Sequence, residues 1–186
     1  MHPTVRDLLT FPDPVNGIAA RCTAALVFAL GAASLAANVV AMSGPTASVS
    51  GGDSEVVALA LAVAMFVGFV LRVISGPKLS PFGRLSVHVL APRFGDPRLT
   101  SAAPKRFAQG IGVAFSGAIL IAVALGAHGV AAGILAVFLV AVGLEAFAGF
   151  CLGCRIYASL QNAGVIAEDS CAECADIWSR TPAVKH

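Results

Sequence analysis

Four cysteines in two pairs are the residues of this sequence whose types and spacing could do chemistry. The pairs are Cys151 with Cys154 and Cys171 with Cys174, and 16 residues separate the first pair from the second. This Cys-x2-Cys-x16-Cys-x2-Cys spacing is typical of four thiolates around one tetrahedral metal ion, so it predicts a zinc site. An iron–sulfur cluster would use the same four ligands.

Thiol redox chemistry is the main alternative to a metal at these cysteines. Reactive pairs of the thioredoxin kind gain thiolate character from a helix N-terminus and nearby cations. We expect Cys151 and Cys154 to lie at the C-terminal end of a long helix, where the helix dipole is negative. Acidic residues also surround the second pair: Glu168, Asp169, Glu173 and Asp176. Both features disfavour an unassisted thiolate and favour a bound cation. A third possibility is that the cysteines only fill apolar space.

The elements that must position these cysteines are membrane helices. Hydrophobic residues make up 58% of the 186 residues and charged residues only 12%, against about 25% charged in an ordinary soluble domain. A helix of 21 residues spans about 31 Å, the thickness of a bilayer core. The apolar runs cover residues 22–42, 56–74, 107–127 and 130–154. The sequence therefore predicts an all-α, four-helix transmembrane bundle over residues 1–164, with a cytoplasmic tail of residues 165–186 packed against it.

The segment between the second and third runs contains a candidate short helix. Ser80 can cap a helix that has Pro81 at its first position. On a helical wheel the polar Arg84 and His88 lie opposite an apolar face that comprises Phe82, Leu85 and Val89. This pattern predicts a short interfacial helix in the membrane surface.

The positive residues predict the orientation of the chain. With four helices, all twelve Lys and Arg residues fall on one side of the membrane, and the loops on the other side have none. Because cytoplasmic loops carry the excess of positive charge, both termini and both cysteine pairs are expected in the cytoplasm, at the inner membrane of the cell.

Glu145 is the one acidic residue within an apolar run. Intramembrane carboxylates are usually paired or functional. Arg72 and Arg21, each at the cytoplasmic end of its helix, are the predicted partners of a buried charge pair, and a proton or ion path through Glu145 is the alternative. The histidines show no ligand spacing and are expected at the surface: His2, His88, His128 and His186.

Several short motifs resemble those of a family of small bacterial integral-membrane proteins known only as a domain of unknown function. The resemblance covers nearly the whole chain and implies a multi-pass membrane protein with four functionally marked cysteines. It implies no activity. The motifs are Asp13-Pro-Val-Asn16, Gly76-Pro77, Ser80-Pro-Phe-Gly-Arg84, Pro104-Lys-Arg-Phe-Ala-Gln109, Phe150-Cys-Leu-Gly-Cys154 and Cys171-Ala-Glu-Cys174.

Three hypotheses of function follow, and the sequence does not identify a reaction. The first is a cytoplasm-facing thiol or metal module on a membrane anchor, which serves redox or sulfur metabolism through a thioredoxin-like or sulfur-transfer protein. The second is a non-catalytic membrane subunit whose tail is held by structural zinc, and the third is a small transporter. No nucleotide-binding loop, serine–histidine pattern or nucleic-acid-binding module occurs, so the lipid bilayer is the expected partner and nucleic acid is not. A catalytic role is not favoured, and the oligomeric state stays open.

Overall fold

The computed structural model describes residues 11–43 and 51–166, which form an almost entirely helical fold. In chain order the elements are β1 (Val15–Asn16), α1 (Gly17–Met42), α2 (Gly51–Ser75), α3 (Pro81–Leu85), β2 (Leu99–Thr100), α4 (Ala102–Ala124), α5 (His128–Gly143) and α6 (Leu152–Asn162). Two helical turns follow α3, a π-helical turn at Ser86–Leu90 and a 3-10 turn at Ala91–Phe94. A second π-helical turn, Leu144–Ala148, extends α5.

Four helices are long and apolar enough to cross a membrane, which confirms the predicted four-helix fold. The candidate spans are 21 to 26 residues long, and about 20 residues suffice for a bilayer core. The chain is therefore a multi-pass membrane protein. The spans are Gly17–Met42, Asp53–Ser75, Ala102–Ala124 and His128–Ala148.

The four long helices form a closed ring in which each packs on two neighbours. α1 contacts α2 and α5, and α4 contacts the same two helices. Small residues let α4 approach closely, because a Cβ atom on Gly112 would overlap the Phe69 ring of α2. The interior is apolar and includes Val27, Ala58, Ala62, Met65, Phe69, Ile119, Ala122, Val123, Ala131, Leu135 and Phe138.

The segment before α1 ties the beginnings of α1 and α4 together. Asn16 caps α1, because its Oδ1 accepts a hydrogen bond from the backbone N–H of Ile18 at 2.9 Å. The Asp13 carboxylate accepts one from the first N–H of α4, that of Ala102, at 3.3 Å. Strand β1 pairs antiparallel with β2. Both helices consequently begin five residues before their predicted starts at residues 22 and 107.

The helical connection between α2 and α4 is present as predicted. Ser80 caps α3, accepting a hydrogen bond from the Gly83 N–H at 3.4 Å, and Pro81 occupies the first helical turn. The connection packs against α1. Its position in the membrane surface stays a prediction.

The fourth predicted helix is not continuous to residue 154, which corrects the sequence interpretation. The helix ends at Ala148, because Gly149 adopts a left-handed conformation with φ of 70°. The N–H groups of Gly149 and Phe150 donate to the carbonyls of Glu145 and Leu144, which closes the helix end. A separate helix, α6, then begins at Leu152.

His128 is buried, whereas the sequence placed it at the surface. Its Nδ1 lies 2.9 Å from Oδ1 of Asn38, and the Asn38 amide donates to the carbonyl of Ser34 at 2.8 Å. The turn between α4 and α5 is so short that the first residue of α5 packs back on the end of α1. His128 and Asn38 can be buried there because each side chain provides a hydrogen-bond partner for the other.

Candidate dithiol site

Cys151 and Cys154 lie at the beginning of α6 and point toward each other. Cys151 is the N-cap residue, with extended backbone angles, and its sulfur accepts a hydrogen bond from the Cys154 N–H at 3.4 Å. The two sulfur atoms are 2.6 Å apart, and the Cys154 thiol donates to Cys151. A disulfide needs a sulfur separation of about 2.05 Å, so the pair can be oxidised with little movement.

This geometry reverses the electrostatic argument made from the sequence. The pair was expected at a helix C-terminus, where the dipole disfavours a thiolate. Because the chain breaks at Gly149 and restarts at Leu152, Cys151 lies instead at a helix N-terminus. There the backbone N–H groups and the positive end of the dipole favour negative charge on sulfur.

Gly153, between the two cysteines, sets the first turn of α6 directly against α4. A Cβ atom at this position would lie 2.6 Å from Cβ of Ala108 and 2.8 Å from its Cα. One turn later the Tyr157 ring packs on Phe107 of α4, with ring centres 5.5 Å apart. The cysteine pair is thereby held beside the first turns of α4.

Glu145 forms its ion pair with Lys105, not with either predicted arginine. The Lys105 Nζ lies 2.6 Å from the Glu145 carboxylate, and the two side chains are 14% and 22% exposed. The predicted partners were Arg72 and Arg21. Lys105 was overlooked because α4 was expected to start at residue 107, which left Lys105 in a loop. Since α4 starts at Ala102, Lys105 lies on the helix and faces α5.

The two arginines make other contacts. Arg72 is 5% exposed, stacks over the Phe69 ring at 4.1 Å and donates from Nε to the Gly68 carbonyl at 3.1 Å. Arg72 forms no salt bridge with Glu145. Arg21 donates to the Phe147 carbonyl at 3.2 Å, close to where α5 ends. Among the described residues, Lys105 is therefore the cation in contact with Glu145, and neither arginine forms the predicted pair.

The surroundings give the two thiols opposite character. The hydrogen bond from Cys154 lowers the pKa of Cys151 below its ordinary value, helped by the nearby Lys105 cation and opposed by burial and by Glu145. The same hydrogen bond, together with burial, raises the pKa of Cys154. Cys151 is thus the residue of the pair that ionises first, and Cys154 is the residue that holds its proton.

A cavity of about 730 Å³ opens beside this site. Its wall is mostly apolar and includes side chains of α1, α4 and α5. Cys151 belongs to the lining, together with six polar residues: Asn16, Thr23, Arg72, Lys105, Gln109 and Glu145. The Gln109 Oε1 atom is buried and has no hydrogen-bond partner among the residues that the structure describes.

The predicted metal site extends beyond the described residues. Cys171 and Cys174 lie outside them, and so do the acidic residues around that pair. Within residues 11–43 and 51–166, no group of three or more histidine, cysteine or acidic side chains is arranged to hold a metal ion. A four-cysteine zinc or iron–sulfur site stays a prediction.

The comparison with protein families identifies the group to which this fold belongs. The model of a domain of unknown function, DUF4395, matches residues 15–162. The chain belongs to the DUF4395 family. This confirms the resemblance found in the sequence. No curated protein and no solved structure gives a significant match.

The DUF4395 match covers the structural elements from β1 to α6. It includes Cys151, Cys154, Lys105 and Glu145, and it ends before the second cysteine pair. The first pair and its charged neighbours therefore belong to the domain that defines the family, and Cys171 and Cys174 follow it.

Sequence reasoning missed Lys105 and Gln109 as members of the site. A usable signal was present in Pro104, because proline is favoured in the first turn of a helix and marks a start near residue 102. With that start, Lys105 and Gln109 are one helical turn apart on the same face of α4.

Proposed function

We propose that the chain is a membrane-bound dithiol module that exchanges electrons with protein thiols and disulfides through Cys151 and Cys154. The observation that carries this proposal is the position of Cys151 as the N-cap of α6, with the Cys154 sulfur 2.6 Å away. A cysteine pair at a helix N-terminus beside a cation is the arrangement that activates one thiol for exchange.

The two cysteines take different roles in this exchange. The Cys151 thiolate attacks one sulfur of a partner disulfide, the partner's S–S bond breaks, and a mixed disulfide forms. Cys154 then loses its proton and attacks the Cys151 sulfur, which releases the second partner thiolate. The protein dithiol becomes a disulfide, the partner disulfide becomes two thiols, and the two protons pass to the released sulfurs. A dithiol protein of the thioredoxin kind reverses the reaction.

The compartment is part of the proposal. The beginnings of α1 and α4 and the ends of α2 and α5 lie at the same end of the bundle as α6, and the positively charged residues of the described chain cluster there. By the positive-inside rule, this clustering of positive charge supports a dithiol on the cytoplasmic face of the inner membrane. A thioredoxin-like or sulfur-transfer protein of the cytosol is the corresponding partner class.

A thiol titration of the detergent-purified chain tests this function. The parent for the test carries serine at Cys22, Cys171 and Cys174, so that every signal comes from the first pair. The protein is equilibrated with mixtures of reduced and oxidised glutathione, quenched with acid and labelled with a polyethylene-glycol maleimide. We expect two labels to be lost together and regained on reduction.

Single serine variants separate the two roles. Cys154→Ser should accumulate a mixed disulfide with glutathione on Cys151, because the resolving thiol is absent. Cys151→Ser should form such an adduct much more slowly. Independent loss of the two labels in the parent, or equal adduct formation in the two variants, contradicts the proposal.

Zinc held by all four cysteines is the second candidate, and the spacing of the two pairs favours it. It would join the tail to α6 and leave no free dithiol. Metal analysis of the natural chain distinguishes the two functions. One zinc per chain, lost in a Cys171→Ser, Cys174→Ser variant, supports the structural metal. A metal-free chain in which all five cysteines, Cys22 included, titrate as thiols after reduction supports the redox module.

A further inference from the structure

We propose that the cavity beside Cys151 binds a lipid-soluble electron carrier of the quinone class, which accepts the electrons of the Cys151 and Cys154 dithiol. This inference rests on the proposed function and names its electron acceptor. Electrons would pass from a soluble thiol protein to the Cys151 and Cys154 dithiol, and from the dithiol to a carrier dissolved in the lipid.

The size and composition of the cavity fit an amphipathic ligand. Its volume of about 730 Å³ falls in the range of about 300–1,000 Å³ that is typical of ligand sites. Small side chains keep it open, among them Ala20, Ala24 and Ala141. Most of the wall is apolar, and two of its polar groups, Lys105 and Glu145, lie near Cys151. An isoprenoid or alkyl tail would contact the apolar wall, and an oxygen-bearing ring would meet the polar groups.

The polar groups of the wall match both redox states of such a ring. A quinone has two carbonyl oxygens, which only accept hydrogen bonds, and Lys105 and Arg72 supply donors. A hydroquinone has two hydroxyl groups, which need acceptors. Glu145 offers one acceptor, and the Gln109 Oε1 atom, buried without a partner among the described residues, offers another.

The unpaired Gln109 oxygen argues against a plain acyl chain as the occupant. Burying a carbonyl oxygen without a hydrogen bond is costly. A hydrocarbon chain would leave this cost in place, whereas a ligand hydroxyl at the polar end would remove it. The charged residues beside it also have no counterpart on an acyl chain.

The reaction balances without another reagent. The Cys151 thiolate adds to a ring carbon of the quinone, and the ring takes up the electron pair. The Cys154 thiolate then attacks the Cys151 sulfur, the S–S bond forms, and the C–S bond breaks with its electrons left on the ring. The two ring oxygens receive the two thiol protons. Dithiol and quinone thus become disulfide and hydroquinone.

Binding is measured first, independently of the redox reaction. The full chain with serine at Cys151 and Cys154 is reconstituted in lipid nanodiscs free of quinone and titrated with decyl-ubiquinone and with its reduced form. We expect one ligand per chain. Ala141→Phe, which fills the cavity, should weaken binding at least tenfold, and the matched control Ala136→Phe, at an exposed position of the same helix, should leave it unchanged.

Gln109→Leu tests the polar end without filling the cavity. It removes the unpaired acceptor, so binding of the reduced form should weaken more than binding of the oxidised form. An equal effect on the two forms contradicts the assigned role of Gln109. Because this variant preserves side-chain size, it also keeps the test decisive if Ala141→Phe does not fold.

Electron transfer is measured second, with the natural Cys151 and Cys154. Reduced protein mixed with decyl-ubiquinone should lose two thiols for each quinone reduced. The reduction of the quinone is measured as the fall in absorbance of the quinone band. If the dithiol cycles with glutathione but no quinone binds, this inference is wrong and the proposed function stands. If quinone binds but the thiols never cycle, the proposed function and the electron transfer are both wrong. The inference is also wrong if the purified chain holds phospholipid acyl chains in the cavity and quinone does not displace them.

Discussion

Replacing Gly153 with alanine should both destabilise the fold and weaken the activation of Cys151. The added Cβ would lie 2.6 Å from Cβ of Ala108, whereas carbon atoms in contact lie about 3.5–4.0 Å apart. The first turn of α6 must therefore move away from α4 by about 1 Å. Cys151, as the N-cap of that turn, moves with it and away from Lys105.

The size of the stability effect follows from two opposing contributions. Overpacking of this kind costs about 1–3 kcal/mol, and replacing glycine by alanine inside a helix returns about 0.5–1 kcal/mol. The expected net loss in the free energy of unfolding is up to about 2.5 kcal/mol. Gly110→Ala in α4 is the matched control, because nothing lies within 4 Å of a Cβ at that position. The control should gain stability.

Two measurements check the Gly153 prediction. Unfolding by sodium dodecyl sulfate, followed by circular dichroism in mixed micelles, gives the difference in stability between Gly153→Ala and Gly110→Ala. The rate of Cys151 alkylation by iodoacetamide, in a background with serine at Cys22, Cys171 and Cys174, reports thiolate formation. Gly153→Ala should react more slowly near neutral pH. Equal stability of the two glycine variants, or an unchanged alkylation rate, would refute the close packing of α6 on α4.

Four further predictions follow, three from the charges around the site and one from the positive charges that set the orientation of the chain. Cys151 should be alkylated with a pH midpoint below that of an ordinary cysteine, since its pKa is lowered, and Cys154 with a midpoint above it. Lys105→Gln should raise the Cys151 midpoint and Glu145→Gln should lower it, because the two charges act in opposite directions; shifts of the same sign would contradict the assignment. Glu145→Ala should lower the free energy of unfolding in detergent, by less than the roughly 3–5 kcal/mol typical of a fully buried pair, because it leaves the partly buried Lys105 cation without its partner. Adding Lys105→Met to the same chain should restore most of the lost stability, and an alanine variant as stable as the parent would exclude a structural ion pair. Reporter fusions at Ser48 and at the C-terminus should report opposite sides of the membrane, and agreement between the two reporters would contradict the proposed orientation.

The sequence predicts the spans of the membrane helices because they depend on the hydropathy and charge of consecutive residues. Apolar runs of about 20 residues can satisfy their backbone hydrogen bonds in a bilayer only as helices, so hydropathy alone predicts all four spans. Their starts were less accurate. α1 and α4 begin five residues early because Asn16 and Asp13 cap them, and the Asp13 contact joins residues that are 89 positions apart in the chain.

By itself, the sequence determined that this is a four-helix membrane protein with a cysteine pair beside its last span, because hydropathy and residue identity are properties of the chain. Only the tertiary structure decided the electrostatic surroundings of that pair. Gly149 could be a small packing residue in a continuous helix or a left-handed helix end, and the difference moves Cys151 from the negative end of one helix to the positive end of another. Likewise, Lys105 and Glu145 meet only because α4 and α5 pack side by side. Electrostatic surroundings depend on distances through space, and in a bundle those distances are set by how the helices pack.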